Sequence, residues 1–521
     1  MTWKPSRRHL FRDAPIAAWK GRKTHIALTG GVVARQRRGK IVSTRMQSGS
    51  PWWIKLLLGL VGLVLAGVAT LYTLGAAATS RWEEYAASLR AKGQPLTFEE
   101  IEAQRAALPD DRNSARIIER LADRFKELGD SHPDPAVLIF GSRKGNDDFF
   151  EGVGRTRIDA SRRFVEQRRE LLAELETLRD KPTGRFDIRY DKSNPILTLL
   201  PHLSGLREKS KLARLDGMLH LIDNRPERAV SDFELQCRLA GTLFDEPTLI
   251  SRLVQIAIEA QACRTVEDIL RVGEVGDETL AGMADELTAL KTNGTMRWAM
   301  LGERAFFIGT CETFAAGRVP PSSIPANDDP SGALAAMLGS RVMPAFLVRS
   351  NELTGAEMHT WLIDAADDPD KMRAAAARID TEVPKLSKTQ ILVKIMMPSL
   401  SRAVVLSTKI TAQLECALAG LAAERFRLAT GQLPKSLEEL VPQYLPGVPN
   451  DPFDAIPLHL KTTDDGIVIY SVDENIVDDG GDVGYRPSSK SRWRAPDVGF
   501  RLFRLDRRGL LLVDDPPPDQ P

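Results

Sequence analysis

The sequence predicts a mainly α-helical protein with one transmembrane helix near its N-terminus and a small α+β domain at its C-terminus. Three observations lead to this fold class. Residues 56–78 are an apolar run without a charged side chain. Residues 81–400 repeatedly place apolar side chains at helical spacing. After residue 430, strand-like runs and turn residues replace the helical pattern.

The apolar run is long enough to cross a membrane as one helix. At about 1.5 Å per residue, roughly 20 residues cross a hydrocarbon core of about 30 Å. Trp52, Trp53 and Tyr72 lie near its ends, where aromatic rings favour the membrane interface. The alternatives are a buried helix of a soluble domain and a cleaved signal peptide ending at Ala76-Ala77-Ala78. A signal peptide has an apolar core of only about 7–15 residues, so we favour an uncleaved anchor.

The distribution of charge gives the anchor a direction. Residues 1–55 contain 13 Lys and Arg against one acid, Asp13, whereas the rest of the chain contains 58 Lys and Arg against 69 Asp and Glu. The positive-inside rule therefore places residues 1–55 in the cytoplasm and residues 81–521 outside it, with the helix in the cytoplasmic membrane. We interpret the basic run as an orientation signal, and nucleic acid is not an expected partner.

The first 45 residues are basic and lack sustained periodicity. They are predicted to be a disordered cytoplasmic tail. A start codon assigned too early is an equally good explanation, because translation from Met46 would begin a more ordinary anchor with MQSGSPWWIK. Both explanations stay open.

Residues 81–400 are predicted to be a helical ectodomain. The clearest block, 203–271, has breaks at Asp223–Pro226 and Asp245–Pro247 that separate three apolar stripes. Short breaks of this kind predict antiparallel neighbours. The block loosely resembles tetratricopeptide-like helical hairpins, although the strict 34-residue period is absent, so a non-repeating bundle is an open alternative. The other predicted helices are Arg81–Lys92, Thr97–Ala107, Arg112–Leu128, Arg155–Leu178, Ala333–Asn351, Gly355–Ala365 and Pro369–Ile379.

Residues 317–332 contain four prolines among Ser, Asn and Asp, which predicts a linker or exposed loop. A long helix is predicted from about Ser401 to Thr430. The C-terminal domain is assigned to 401–513, followed by a disordered tail at 514–521. Two hairpins are predicted there, one joining Ile456–Lys461 to Ile467–Val472 and one joining Phe500–Leu505 to Leu510–Val513.

Residues 403–505 resemble the extracytoplasmic core of the major pseudopilin of type II secretion systems, the system's protein G. Three features carry the resemblance: Arg427, Gly431 and Pro434 in an R/K-x-x-x-G-x-x-P pattern at a helix end, the step Asp451-Pro452-Phe453, and an acidic loop after a strand. A pseudopilin has its hydrophobic helix directly before this core, behind a processing motif G-F-x-L-x-E. Here the apolar helix lies over 300 residues upstream without that motif, so we interpret it as a tether.

The resemblance also implies calcium, because the family binds this ion in its acidic loop. Calcium takes six to eight oxygen ligands. The loop here departs from the family pattern, since Asp473 and Ile476 replace glycines and Asn475 replaces an aspartate. A solvated acidic turn without an ion is the alternative. The candidate ligands are Asp473, Asn475, Asp478, Asp479, Asp482 and Asp497.

No catalytic signature stands out in the sequence. The seven histidines are scattered, and no phosphate-binding glycine loop opens a helix. The sequence does not favour a nucleophilic pair of Cys311 with His359, because a catalytic cysteine needs an accessible, electropositive setting. The cysteines are expected to be buried apolar side chains rather than disulfides; they are Cys237, Cys263, Cys311 and Cys416.

We therefore expect a membrane-anchored, extracytoplasmic protein of the bacterial envelope that binds other envelope proteins without catalysing a reaction. Two alternatives stay open. One is an extracytoplasmic hydrolase whose residues converge only in three dimensions. The other is an accessory protein of a type II secretion or pilus-like system, which rests on the C-terminal resemblance alone.

Overall fold

The computed structural model describes residues 51–128, 137, 153–181, 183–293, 296–316, 344–484, 495–509 and 512–513. It divides into a unit of residues 1–64 and a unit of residues 65–521. Three predictions lie outside the described residues: the tail at 1–45, the linker at 317–332 and the tail at 514–521. The described part is mainly helical with a small antiparallel sheet at its C-terminal end, as predicted.

Thirteen helices are described along the chain. Their bounds are α1 Trp52–Ala91, α2 Phe98–Gln104, α3 Ala115–Glu127, α4 Arg155–Glu166, α5 Arg169–Glu176, α6 His202–Ile222, α7 Pro226–Gly241, α8 Leu249–Val272, α9 Asp277–Asn293, α10 Arg297–Ala315, α11 Ala345–Ala365, α12 Pro369–Glu382 and α13 Ile391–Thr430. The strands are β1 Val153–Gly154, β2 His459–Thr463, β3 Gly466–Ser471, β4 Val498–Phe503 and β5 Leu512–Val513.

Some predicted helix boundaries were wrong. The helix expected over 155–178 is interrupted between α4 and α5. The break expected between Asn351 and Gly355 is absent, since α11 is continuous there. Helix α13 begins at Ile391 rather than near Ser401 and continues through Pro398. Proline removes one helical hydrogen bond, but the buried side chains Leu392 and Val393 give this first part of α13 a packed face that offsets the loss.

Helices α6, α7 and α8 are joined by the two short breaks that the sequence predicts. At the first, Asn224 adopts a left-handed conformation with φ of 54°, and Pro226 is the first residue of α7. At the second, Thr248 caps α8, because its side-chain oxygen accepts a hydrogen bond from the backbone N–H of Ser251 at 3.1 Å. The resemblance to tetratricopeptide-like hairpins stays a prediction.

The last turns of α1 are packed against α10 and α11. Trp82, Ala86 and Leu89 share an apolar cluster with Ile308 and Ala356. This cluster fixes the stem of α1, meaning its residues 82–91, to the helical body.

A buried arginine reinforces this junction. Arg304 on α10 is fully buried. It donates to Gln94 Oε1 at 2.6 Å, to Thr360 Oγ1 at 3.0 Å and to the Pro95 carbonyl at 2.9 Å. The Tyr85 hydroxyl of α1 donates to the same Thr360 oxygen at 2.9 Å. Burial lowers the pKa of Arg304 to about 10, so the guanidinium is still charged at neutral pH.

Strands β2, β3 and β4 form an antiparallel sheet in that spatial order. The first predicted hairpin is confirmed, with Leu460 paired to Ile469. The second was wrong: β4 pairs with β3, placing Phe500 opposite Ile469, whereas β5 pairs in parallel with β1. The reason is that β3 is buried at every residue. A buried strand needs partners along both edges for its backbone groups.

The sheet packs on α13. Gly420 faces the ring of Phe500 so closely that a Cβ at this position would lie 2.3 Å from a ring carbon. The same helix ends at Gly431, whose φ of 77° is the left-handed conformation that closes a helix.

An ion-pair network ties this end of α13 to its surroundings. The Glu424 carboxylate is fully buried and accepts hydrogen bonds from Arg427 at 2.8 and 2.9 Å and from Arg508 at 2.7 Å. Arg427 also reaches Glu274, between α8 and α9, at 2.9 Å. Burial opposes ionisation, but the hydrogen bonds from Arg508 and Arg427 hold the pKa of Glu424 below its usual value.

The substitution Glu424→Gln should destabilise the domain strongly, because it leaves the largely buried Arg508 without its counter-charge and Arg427 with Glu274 alone. Breaking a buried pair in this way costs about 3–5 kcal/mol. Thermal unfolding followed by circular dichroism measures the loss. The control is Glu439→Gln at an exposed glutamate on the same domain. Equal melting temperatures for the two variants would contradict the role assigned to Glu424.

Candidate functional site

The N-terminal part of α1 has an apolar surface on every side that no described residue covers. Leu60 is 61% exposed and Leu63 is 73% exposed. A helix of a soluble protein normally buries such a stripe. The other large apolar side chains exposed on this segment are Trp52, Trp53, Leu56, Leu57, Leu58, Val61, Val64, Leu65, Val68, Leu71, Tyr72 and Leu74.

Two described helices, α1 and α13, are long and apolar enough to cross a membrane. They differ in burial: the most apolar window of α1 is 0% buried, whereas that of α13 is 50% buried. Helix α13 packs its side chains, among them Ile410 and Leu414, into the main apolar core. The environment of α13 is therefore that of a core helix, and the environment of α1 is not.

The acidic loop after β3 holds the residues predicted to bind calcium. Asp473 is buried and forms an ion pair with Lys409 of α13. Its neighbour Glu474 lies 3.6 Å from Arg402 of the same helix. Asp473 also has a positive φ of 57°. A lysine ammonium thus neutralises the first of the six candidate ligands.

Three other candidate ligands form hydrogen bonds within the loop. The Asn475 amide donates to Asp479 Oδ2 at 2.8 Å. Asp478 Oδ1 accepts from the Tyr470 hydroxyl at 3.0 Å and from the Gly480 N–H at 2.8 Å. The hydrogen bond from Gly480 lowers the pKa of Asp478, although burial opposes the shift.

The last two candidates, Asp482 and Asp497, are neighbours. Asp497 Oδ2 accepts from the backbone N–H groups of Gly481 and Asp482, at 2.9 and 3.0 Å. Its other oxygen, Oδ1, is buried and has no hydrogen-bond partner among the described residues. Burial raises the pKa of Asp497 above its usual value.

The structure thus places all six residues on one loop and its flank, but it does not gather their oxygens around one point. Among the described residues, one group of three acidic or histidine side chains has donor atoms that all lie within 4.8 Å of one another. That group is Asp216, His220 and Asp232, which are not part of this loop. Calcium at the loop stays a prediction.

The cluster of Asp216, His220 and Asp232 lies between α6 and α7. His220 Nδ1 is 2.9 Å from Asp232 Oδ2, and Arg169 of α5 donates to Asp216 Oδ2 at 2.8 Å. Asp216 and Asp232 are 3% and 4% exposed, whereas His220 is partly exposed. Sequence reasoning found no histidine cluster and missed this one.

The sequence contains only part of the pattern that would identify this cluster. Asp216 and His220 are four residues apart, which places them on one face of a helix. Asp232 joins them only through the register between α6 and α7, and the sequence pattern does not specify that register.

Charge interactions perturb both partners of the Asp232–His220 pair. Burial and the nearby Asp216 carboxylate raise the pKa of Asp232 to about 7, although the hydrogen bond to His220 opposes the shift. The hydrogen bond to Asp232 raises the pKa of His220, against the effect of burial. The pair therefore holds a proton more tightly than the same groups would in water.

Helix α6 also lines a larger, mostly apolar groove of about 550 Å³. Ile118, Phe186 and Leu199 are among its apolar walls, and Leu199 is 80% exposed. The His202 ring stacks on Phe186 with centroids 4.2 Å apart and lies 2.9 Å from Glu246. This groove has the apolar lining typical of a surface that binds another molecule.

The candidate nucleophile Cys311 is not accessible. Its thiol is fully buried, and burial raises its pKa well above the usual value. Burial lowers the pKa of His359 to about 4. A neutral buried thiol is a poor nucleophile. The other three cysteines are buried free thiols as well, in agreement with the expectation of small buried side chains.

No protein family, curated protein or solved structure matches this chain.

Calcium binding at the acidic loop predicts that excess calcium raises the melting temperature of the protein and that a chelator reverses the rise, because a ligand bound to the native state stabilises it. The double variant Asp482→Asn/Asp497→Asn should lose the rise. Asp506→Asn, at an exposed acid after β4, should keep it. A melting temperature that calcium leaves unchanged in the wild-type protein contradicts calcium binding.

Proposed function

We propose that this protein is a single-pass protein of the cytoplasmic membrane whose helical ectodomain lies outside the cytoplasm and binds other envelope proteins. The observation that carries the proposal is the uncovered apolar surface of α1. Burying apolar side chains is worth about 25 cal/mol per Å², so exposing more than a dozen large ones to water on one helix is unfavourable. A lipid bilayer removes this cost.

The contrast between the two apolar helices supports a single span. The protein interior accounts for the hydrophobicity of α13, which carries a buried Glu424 and packs against the sheet. Of these two helices, α1 is then the one whose apolar side chains still need lipid to cover them. The charge asymmetry supports its direction, with the basic residues 1–55 in the cytoplasm and the acidic remainder outside.

Two features support a role in binding proteins. The 550 Å³ groove on α6 joins apolar walls to charged edges, among them Glu119 and Lys126, as protein-binding surfaces do. The C-terminal domain places a small sheet on a long helix, with Arg427, Gly431 and Asp451-Pro452-Phe453 at the positions of the pseudopilin pattern. That arrangement supports a proposed place beside a secretion or pilus-like system.

A second candidate function, an extracytoplasmic hydrolase, is favoured by the Asp216–His220–Asp232 cluster, because perturbed titratable groups beside a pocket are typical of catalytic sites. Loss of a hydrolytic activity of the purified protein in Asp232→Asn, with the fold intact, would support this function over protein binding alone.

Charges placed in the apolar part of α1 should release the protein from membranes. We expect Leu63→Arg/Leu65→Arg to shift the full-length chain from the alkali-resistant membrane fraction to the soluble or aggregated fraction, since each arginine at a helix centre costs about 2.5–3.5 kcal/mol on insertion. Ile476→Arg/Val477→Arg, at exposed apolar positions of the acidic loop, is the control and should stay in the membrane. Equal extraction of both variants would reject anchoring by α1.

Protease protection tests the orientation. Trypsin added outside intact spheroplasts should digest residues beyond Arg81 and leave an epitope placed before residue 55 intact, because the basic side is expected in the cytoplasm. Inside-out vesicles should give the reverse pattern. An N-terminal epitope that is cleaved from outside would contradict the orientation.

A further inference from the structure

We propose that Asp216, His220 and Asp232 bind one divalent transition-metal ion of the zinc or manganese class beside a polar pocket that residues of α4, α5 and α6 line. The proposal concerns a site inside the helical body and does not depend on membrane anchoring or on protein partners.

The geometry suits a mixed oxygen and nitrogen site. Each of the three side chains offers one donor atom, and these atoms all lie within 4.8 Å of one another. In a tetrahedral zinc site with bonds of about 2.0–2.1 Å, the ligand atoms lie roughly 3.3 Å apart. His220 Nδ1 and Asp232 Oδ2 are 2.9 Å apart, slightly closer than this value, and no pair among the three donor atoms is more than 4.8 Å apart. Two ligands come from one helix at positions i and i+4, as in other helical metal sites.

The electrostatics favour a cation. Two carboxylates, Asp216 and Asp232, lie together in the interior, 3% and 4% exposed, where like charges repel each other strongly. The described counter-charges are Arg169, paired to Asp216, and His220 itself.

The pocket gives the ion an entry path and open coordination positions. It has a volume of about 390 Å³ and is lined by Asp216 and His220 together with arginines of its rim. Arg162 is paired with Asp223 at 3.1 Å, and Arg163 and Arg225 are exposed. Three protein ligands leave a position for water or for an anionic ligand, and the rim arginines would attract the latter.

The ligand types narrow the choice of ion. Imidazole nitrogen suits zinc or nickel better than calcium or magnesium, which prefer all-oxygen sites, and the two carboxylates also suit manganese. To bind the ion, His220 Nδ1 and Asp232 must give up the contact between them and coordinate the ion instead. Because the ligands bind metal only when deprotonated, affinity should fall as the pH is lowered.

The test uses the full-length, tag-free chain in detergent, equilibrated with Zn²⁺ or Mn²⁺ and then analysed by equilibrium dialysis and elemental analysis. We expect one ion per chain, with Ca²⁺ and Mg²⁺ failing to compete at equal concentration. His220→Ala and Asp232→Asn should each weaken binding at least tenfold. Two controls should bind as the wild type does: Asp223→Asn, on the rim of the same pocket, and His202→Ala, a histidine paired with a carboxylate elsewhere on α6.

Cobalt provides a second measurement for the case that the ligand variants fail to fold. Co²⁺ bound to the wild-type chain should give the visible absorption of a four- or five-coordinate nitrogen and oxygen site, and Zn²⁺ should remove it. Absence of stoichiometric binding by the wild type, full binding by folded His220→Ala, or loss of binding in His202→Ala would each overturn the proposal.

Discussion

Helix α1 has two parts in different surroundings. The contacts that hold its second part in the helical body are the ones on which the position of this helix depends. Its first part presents leucine and valine side chains that no described residue covers, whereas residues 82–91 are packed into the helical body. Arg304 holds the turn that follows the packed part. Burying a guanidinium is costly unless it is hydrogen-bonded, and here Gln94, Pro95 and Thr360 accept from its two terminal nitrogens. The Tyr85 hydroxyl of the stem donates to the same Thr360 oxygen, so the stem and the arginine share one acceptor.

The second organising element is α13, which joins the helical body to the C-terminal sheet. One of its faces packs on α8 and α9 and another receives the sheet, with Gly420 allowing the ring of Phe500 to approach. Near its end, Glu424 holds Arg427 and Arg508 in place. The arginine that carries the pseudopilin-like pattern therefore has a structural role in this chain, since it connects α13 to Glu274.

Much of the helical architecture could be predicted from the sequence, because local signals specify it. Asp223–Pro226 and Thr248 mark helix boundaries through backbone conformation and capping, and both act at short range. The pairing of β4 was mispredicted because proximity in sequence favoured a hairpin with residues 510–513, whereas burial of β3 demands a second partner strand.

The candidate sites show the same division between local and distant signals. The acidic loop was visible as a run of carboxylates, but its neutralisation by Lys409 depends on packing against α13. The cluster of Asp216, His220 and Asp232 was missed because Asp232 lies on another helix. Pairings across helices depend on register, which apolar periodicity constrains only loosely.

The central claim is that α1 lies in lipid and α13 in the protein core. Labelling full-length protein in lipid vesicles with an apolar photoactivated carbene probe, followed by mass spectrometry of the peptides, tests it directly. We expect label on residues 56–74 and none on residues 391–430. Label concentrated on 391–430, or absent from both helices, would contradict the account.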